Sequence, residues 1–484
     1  MEGPISRTLL RLLAAKPRRP APPPMLIELR EESGLQPALH YESYPFAYSA
    51  STSARGNRYE LTVSLPQALL LRLRGVVQAV SETLDPADVD PLTFGKLIEV
   101  LEQLGAEQLA LVPGLTRARE LSELVAFEAI GLSRILGLAK DQYITEFYVD
   151  SDSSPLYLDH SKVGRCDTSL VLTERERRAI ETHMDTFRGY SLDYTTPSLK
   201  NDIEVAGARL RVSLDLDPVS VNRFALDVRR LNVSSLSLRQ LVGMKVLSTE
   251  AACLLVAWLG LGGNVTIIGE TGTGKTTLLN ALDEELNPKL RRVYIEDAVE
   301  TRDLLERGYH QMKIKVDPFE RSEHNLRTKG AEIVKVLHRS PDVVILSEIQ
   351  SEEHSKAFFH SLSSGVRGLQ TFHASSAEQA IRRWVNVHEI PKQSLLDLGI
   401  LVQMSRPDRI KPLRITSRVC QVVSEGGDPR LRDLFLRDKT DELRRVVAWE
   451  RLVPPTGRSS DELLESMDRE SSAMEAGEMA VCSE

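Results

Sequence analysis

Cysteine is scarce: four residues in 484, Cys166, Cys253, Cys420 and Cys482, lie far apart with no Cys-x-x-Cys pair. That spacing supports neither a compact zinc knuckle nor a disulfide scaffold, and a reducing, cytosolic setting accounts for it. Aromatic residues make up only 5% of the chain, so its cores should rest on Leu, Val, Ile and Ala. A sustained apolar run is lacking as well. The longest weakly charged stretch, 251–269, is broken by Gly260, Gly262, Gly263 and Asn264 before VTII. It reads as buried helix, turn and buried strand, not as a membrane span of about 20 apolar residues, so no transmembrane segment is expected. Nor is there a polycationic excess. The net charge is −8, and residues 459–484 hold eight acids against Arg469, leaving the rest nearly neutral. This argues against a dedicated duplex binder, and no nucleic-acid partner is expected.

What remains is 42% hydrophobic and 27% charged, with 28 Gly and 24 Pro. That composition suits a soluble globular protein of about three domains at roughly 150 residues each. Residues 1–24 form a basic, Pro-rich arm with five bases against one acid. Strand-like alternation and then helical runs, such as FGKLIEVLEQLGAEQLALV, make 25–140 a mixed, largely helical region. Short strands surround a helix capped by Thr173 and Glu176 in 141–231, which reads as a smaller α+β domain. Uniformly apolar strands alternate with helices over 232–450, the signature of an α/β domain with a parallel sheet covered on both faces. Residues 451–484 read as an acidic, disordered tail.

Gly269-Glu270-Thr271-Gly272-Thr273-Gly274-Lys275-Thr276 matches Gly-x4-Gly-Lys-[Ser/Thr]. By composition the pattern arises by accident roughly once per hundred chains of this length. Here VTII runs into it and TTLLNAL, beginning at Thr276 and Thr277, runs out. Strand, glycine loop and helix N-terminus together make a phosphate cradle. Lys275 would bridge the β- and γ-phosphates of a nucleoside triphosphate, and the Thr276 hydroxyl would ligate Mg²⁺.

Hydrolysis also needs a group that holds the metal and one that orients water. DVVILSE ends a strand with Glu348, and RRVYIED ends another with Glu296 and Asp297. Strand exits point into the ligand crevice of such sheets, and neighbouring strand residues face opposite ways, so one of Glu296 and Asp297 can aim at the γ-phosphate. His373 closes the strand LQTFHA and could donate to that phosphate or to the attacking water.

With these residues in hand, 140–440 resembles the secretion, pilus and archaellum assembly ATPases of the type II/type IV superfamily, most closely their archaeal branch. GETGTGKTTLLNAL stands as the phosphate loop and VYIEDAVE as the acidic box. RSPDVVILSEIQ stands as the metal-binding strand and SSGVRGLQTFHASSAEQAIRRW as the histidine box. The resemblance implies a RecA-like P-loop NTPase core preceded by a PAS-like domain, with ATP and Mg²⁺ as ligands. It implies Glu348 at the metal and water, Glu296 as the water-orienting carboxylate, His373 as γ-phosphate sensor, and an arginine from Arg209, Arg229 or Arg230 completing the site. It further implies a homo-hexamer, cytoplasmic and peripheral to the inner face of the cell membrane. Such a ring would drive pilin-like filament subunits through an integral membrane platform protein. Two positions depart from the family pattern: Gln350 stands where an arginine is usual, and Val366 where a histidine is usual.

Overall fold

The computed structural model describes residues 39–53, 56–63, 65–83, 93–115, 117–188, 192, 194–231, 236–316, 328–408 and 410–476. The basic arm 1–24 and Cys482 lie outside them. The chain divides into two compact units, residues 1–233 with 409–412, and residues 234–408 with 413–484.

The first unit is built on one nine-stranded sheet, ordered β1-β2-β3-β6-β5-β4-β9-β8-β7. Its strands are β1 Leu39–Ser43, β2 Phe46–Ser53, β3 Gly56–Val63, β4 Ile144–Val149, β5 Pro155–His160, β6 Gly164–Val171, β7 Ser198–Val205, β8 Ala208–Leu216 and β9 Phe224–Arg230. The joint between β3 and β6 is parallel, pairing Asn57 with Cys166, and the other joints are antiparallel. Regions expected to be separate, 25–140 and 141–231, therefore share a sheet. They also share a core, in which Phe46 and Phe127 from the first pack with Phe147 and Phe224 from the second. The reason is edge strands: three strands with one apolar face are stable when they extend an existing sheet.

Helices α1 Gln67–Thr83, α2 Phe94–Ala110, α3 Ala118–Ala129, α4 Ser133–Lys140 and α5 Glu174–Arg188 complete this unit. The run ARELSELVAFEAIGLSRIL splits into α3 and α4 because Gly131 sits at φ +75°, where the chain turns. At α5 the capping box forms as its spacing implies. Glu176 N–H donates to Thr173 Oγ1 at 3.3 Å, and Thr173 N–H donates back to Glu176 Oε2 at 2.8 Å.

The second unit also carries nine strands, ordered β12-β11-β13-β14-β10-β15-β16-β17-β18. They are β10 Val265–Gly269, β11 Arg292–Glu296, β12 Gln311–Lys315, β13 Val343–Ile349, β14 Arg367–His373, β15 Ile400–Ser405, β16 Ile415–Glu425, β17 Asp428–Arg437 and β18 Leu443–Arg445. Strands β12 to β15 are parallel, and β15 to β18 form an antiparallel extension. Alternation along the buried strands feeds two cores. Ile267, Tyr294 and Ile345 enter one, while Ile268, Ile295 and Leu346 enter the other. Both faces are thus covered, as all-apolar parallel strands require.

The helices of this unit are α6 Leu238–Gly243, α7 Thr249–Gly260, α8 Lys275–Glu284, α9 Lys329–Val336, α10 Glu352–Ser363, α11 Ala377–Asn386 and α12 Ser460–Ala476. Over 460–476, helix α12 corrects the expectation of a disordered tail, and 477–484 lie outside the described residues. Leu463, Met467 and Met474 sit at helical spacing and are buried in the core formed with α7, so the described acids other than Glu470 occupy the outer face of a docked helix. Cys166, Cys253 and Cys420 are buried free thiols. Among the described residues no helix is long and apolar enough to cross a membrane.

Candidate active site

Strand β10 is wholly buried and ends at Gly269, where the chain must fold back on itself. A Cβ there would lie 2.5 Å from Thr273 Oγ1 and 2.7 Å from Met404 O. Gly272 and Gly274 adopt φ +74° and +89°, left-handed conformations that admit glycine without strain. Thr273 Oγ1 donates to Glu270 O at 2.8 Å and closes the loop, and Arg414 Nε donates to Gly272 O at 2.8 Å. Helix α8 begins at Lys275 with no side-chain cap, so its first-turn N–H groups face the loop's concavity. Glu270 and Thr271 are exposed at the tip, and Thr276 and Thr277 are half-buried in the first turn. The shape and the donor set fit a nucleotide phosphate.

Lys275 is only 7% exposed. Its Nζ donates to Glu270 O at 2.8 Å and lies 3.4 Å from His373 Nδ1. His373 is there because β10 and β14 run in register, pairing Gly269 with His373. On its other side, His373 Nε2 meets Glu348 Oε1. Lysine from the start of α8, with histidine and glutamate from the adjacent exits of β14 and β13, thus forms one continuous chain beside the loop. Burial alone would push the Glu348 carboxyl up. The His373 bond and charge, the Gln350 amide and the Lys329 ammonium outweigh it and hold the carboxyl down to about 2.

Glu296 has a different place from the one expected. It is 1% exposed, and its carboxylate accepts from Glu300 N–H and Thr301 N–H at 3.0 Å each and from Thr301 Oγ1 at 2.6 Å. Burial raises its pKa against those donors and Lys313. A carboxylate bonded in this way shapes the turn after β11. The turn carries the chain back to α8, where Thr276 Oγ1 donates to Glu300 Oε2 at 2.8 Å. Asn280 fastens it, donating to Glu300 O at 3.1 Å and accepting from Arg302 N–H at 3.2 Å.

Glu300 therefore meets the loop, and strand-end reasoning missed it because it lies four residues past β11. Its signal was the last letter of VYIEDAVE: a carboxylate spaced one tight turn beyond a strand acid. Two cations were missed too. Lys329 Nζ donates to Glu348 O and to Asp297 Oδ1, the latter at 3.4 Å. Arg383 donates to His373 O at 3.0 Å and to Gln350 O at 2.7 Å.

The three candidate arginines belong to the first unit. Arg209 and Arg229 lie on the sheet face opposite the core, by alternation with Leu210 and Val228. Arg229 stands opposite Glu146 of β4. Arg230 is committed elsewhere: its guanidinium donates to the carbonyls of Ile144, Ala139 and Asp141, tying β9 to the end of α4. It is a structural clamp, which corrects its candidacy for a phosphate.

The family described as "Type II/IV secretion system protein" matches residues 199–404. An uncharacterized protein of Methanocaldococcus jannaschii is 30% identical over 199 residues, covering 40% of this chain and 70% of that protein. Two further proteins of that organism, each 25% identical, are covered over 45% and 30% of their length. The type IV secretion system protein PtlH of Bordetella pertussis is 34% identical over 134 residues, 25% of this chain and 35% of PtlH. Among solved structures, the Legionella pneumophila ATPase DotB aligns at 14% identity and TM-score 0.41, over 71% of this chain and 86% of that one. From the family match and the first of these relatives, the chain belongs to the family described as type II/IV secretion system protein.

Proposed function

We propose that the chain hydrolyses ATP in a homo-hexameric motor, cytoplasmic and peripheral to the membrane, that drives a type IV pilus-like filament, an archaellum or a secretion apparatus. One arrangement supports the hydrolytic part: Lys275, His373, Glu348, Thr276 and Glu300 converge on a single phosphate-shaped loop. Lys275 and the amides of 269–277 would hold the phosphates. Thr276 and Glu348 would hold Mg²⁺, which when bound neutralises phosphate charge. Glu300 would take the role first given to Glu296. It would accept a proton from water as the water oxygen attacks the γ-phosphorus and the bond to the β-phosphate oxygen breaks, leaving ADP and phosphate. His373, between Lys275 and Glu348, is the candidate γ-phosphate sensor. Arg209 and Arg229 remain the candidates for completing the charge on the phosphoryl group.

An archaeal-like placement is supported by the M. jannaschii relatives. A membrane platform protein and pilin-like subunits as partners rest on the superfamily alone, and co-purification from membranes would identify what is bound. The chemistry is tested by phosphate release from the purified full chain. Glu348→Gln and Glu300→Gln are each expected to lower turnover by at least about 100-fold while nucleotide still binds, and Lys275→Ala to lose binding. Unchanged turnover in Glu300→Gln would return the water to another group. A wild-type chain that binds nucleotide in a ring but releases no phosphate would be a scaffold, not a motor.

A further inference from the structure

Strand β13 does not run straight into the site. Its register with β14 passes from Leu346↔Gln370 to Ile349↔Phe372, three steps on one strand against two on the other. The extra residue is a bulge at Ser347–Glu348, which turns the Glu348 side chain toward His373. A bulge frees backbone carbonyls from the ladder, and buried carbonyls need donors. Here each donor is a side chain. Thr371 Oγ1 donates to Ser347 O, and Lys329 Nζ donates to Glu348 O. Just beyond, Arg383 Nη2 donates to Gln350 O.

Of these donors Lys329 is the least economical. Its side chain is 3% exposed, so an ammonium has been taken out of water to reach this carbonyl. Such burial is unfavourable unless the charge is paired, and its pair is Asp297, the residue after β11. One buried cation thus links the exits of β11 and β13, while Gln350, at the position after the strand, offers only a neutral amide to Glu348. A lysine serving merely to pin α9 to the sheet could do so with its methylene stem.

We propose that Lys329 is a positioning residue: by capping the Glu348 carbonyl at the bulge it fixes the direction of the Glu348 carboxylate, and so the affinity of the site for Mg²⁺. This rests on the reading of Glu348 as a metal residue.

The test uses the full chain and a fluorescent ATP analogue titrated in EDTA and at graded Mg²⁺, with phosphate release and thermal unfolding measured alongside. Lys329→Met is expected to raise the Mg²⁺ concentration at half-effect by about 10- to 100-fold, the range for losing an outer-shell partner of a metal ligand. Affinity in EDTA should stay within about twofold, and Lys329→Arg should recover most of the loss. Thr371→Val, which uncaps the neighbouring carbonyl without changing charge, is expected to move the Mg²⁺ dependence the same way by a smaller factor. It carries the test should Lys329→Met not fold. A lowered melting temperature with unchanged Mg²⁺ dependence in these variants would overturn the proposal and leave Lys329 a packing residue. Glu348→Gln separates the two levels. If it shifts the Mg²⁺ dependence and Lys329→Met does not, the proposal alone fails; if it shifts nothing, the metal reading fails and takes the proposal with it.

Discussion

Arg292 shows how strongly single residues are held in the second unit. It is 0% exposed and its Nε donates to Asp283 Oδ1 at 2.9 Å, while Tyr294 OH donates to Asp283 Oδ2 at 2.6 Å. The rest of the guanidinium donates to the carbonyls of Leu286 and Leu290, at 2.7 and 3.2 Å, past the end of α8. The helix that starts at the phosphate loop is therefore finished by an arginine on β11. Arg292→Met leaves Asp283, itself 1% exposed, as a buried carboxylate without its cation. The expected loss is about 3–5 kcal/mol, read from the urea midpoint of the second unit. Adding Asp283→Leu should recover much of it, because the stranded charge is then gone. A loss below about 1 kcal/mol for Arg292→Met would mean that water reaches Asp283. At this scale the sequence was readable where partners are contiguous, as in the phosphate loop, and where one pairing rule carries a residue to its place, as for His373. Glu300, Lys329 and Arg383 escaped notice because they meet partners 24, 19 and 33 residues away. Such pairings exist only once the strands are laid side by side.

Among the elements, α12 was the hardest to read. Its acids dominate any count of charge, yet Leu463, Ser466, Met467 and Met474 form a buried stripe at three- and four-residue spacing. Net charge speaks for solubility and spacing speaks for docking; the spacing decided. Docking brings Glu470 near Glu285, at the end of α8. Burial first, then Glu470 and Glu284, raise the Glu285 carboxyl to about 7, with Arg307 opposing. Glu470 is itself raised by burial, against Arg469. A carboxyl raised in the folded state binds its proton more tightly there than in the unfolded chain. Its contribution is therefore fully present below the unfolded value near 4.5 and is lost as pH rises through about 7. Glu285→Gln should flatten the fall in melting temperature between pH 5 and pH 8. At pH 8 it should raise stability on the order of 1 kcal/mol once solvent screening is allowed for. An unchanged slope in the variant would show that the pair is too well solvated to matter.

At the scale of the whole molecule, the cores do not mix. Every residue of the first core falls between Phe46 and Val228, and those of the other two fall between Leu238 and Met474. The all-apolar strands made the second unit's layered sheet legible. The joining of β1–β3 to β4–β9 was not, because an edge strand's choice of neighbour leaves no mark on its own alternation. Two units that share no core imply two cooperative units, so heating the full chain should give two transitions. The phosphate loop belongs wholly to residues 234–408 with 413–484. A ligand bound there at 100 times its Kd stabilises that unit by about 2.7 kcal/mol. Mg-ADP is accordingly expected to raise the transition assigned to 236–476 by several degrees, and Lys275→Ala to abolish the rise. A rise confined to the first unit would be incompatible with nucleotide at 269–276.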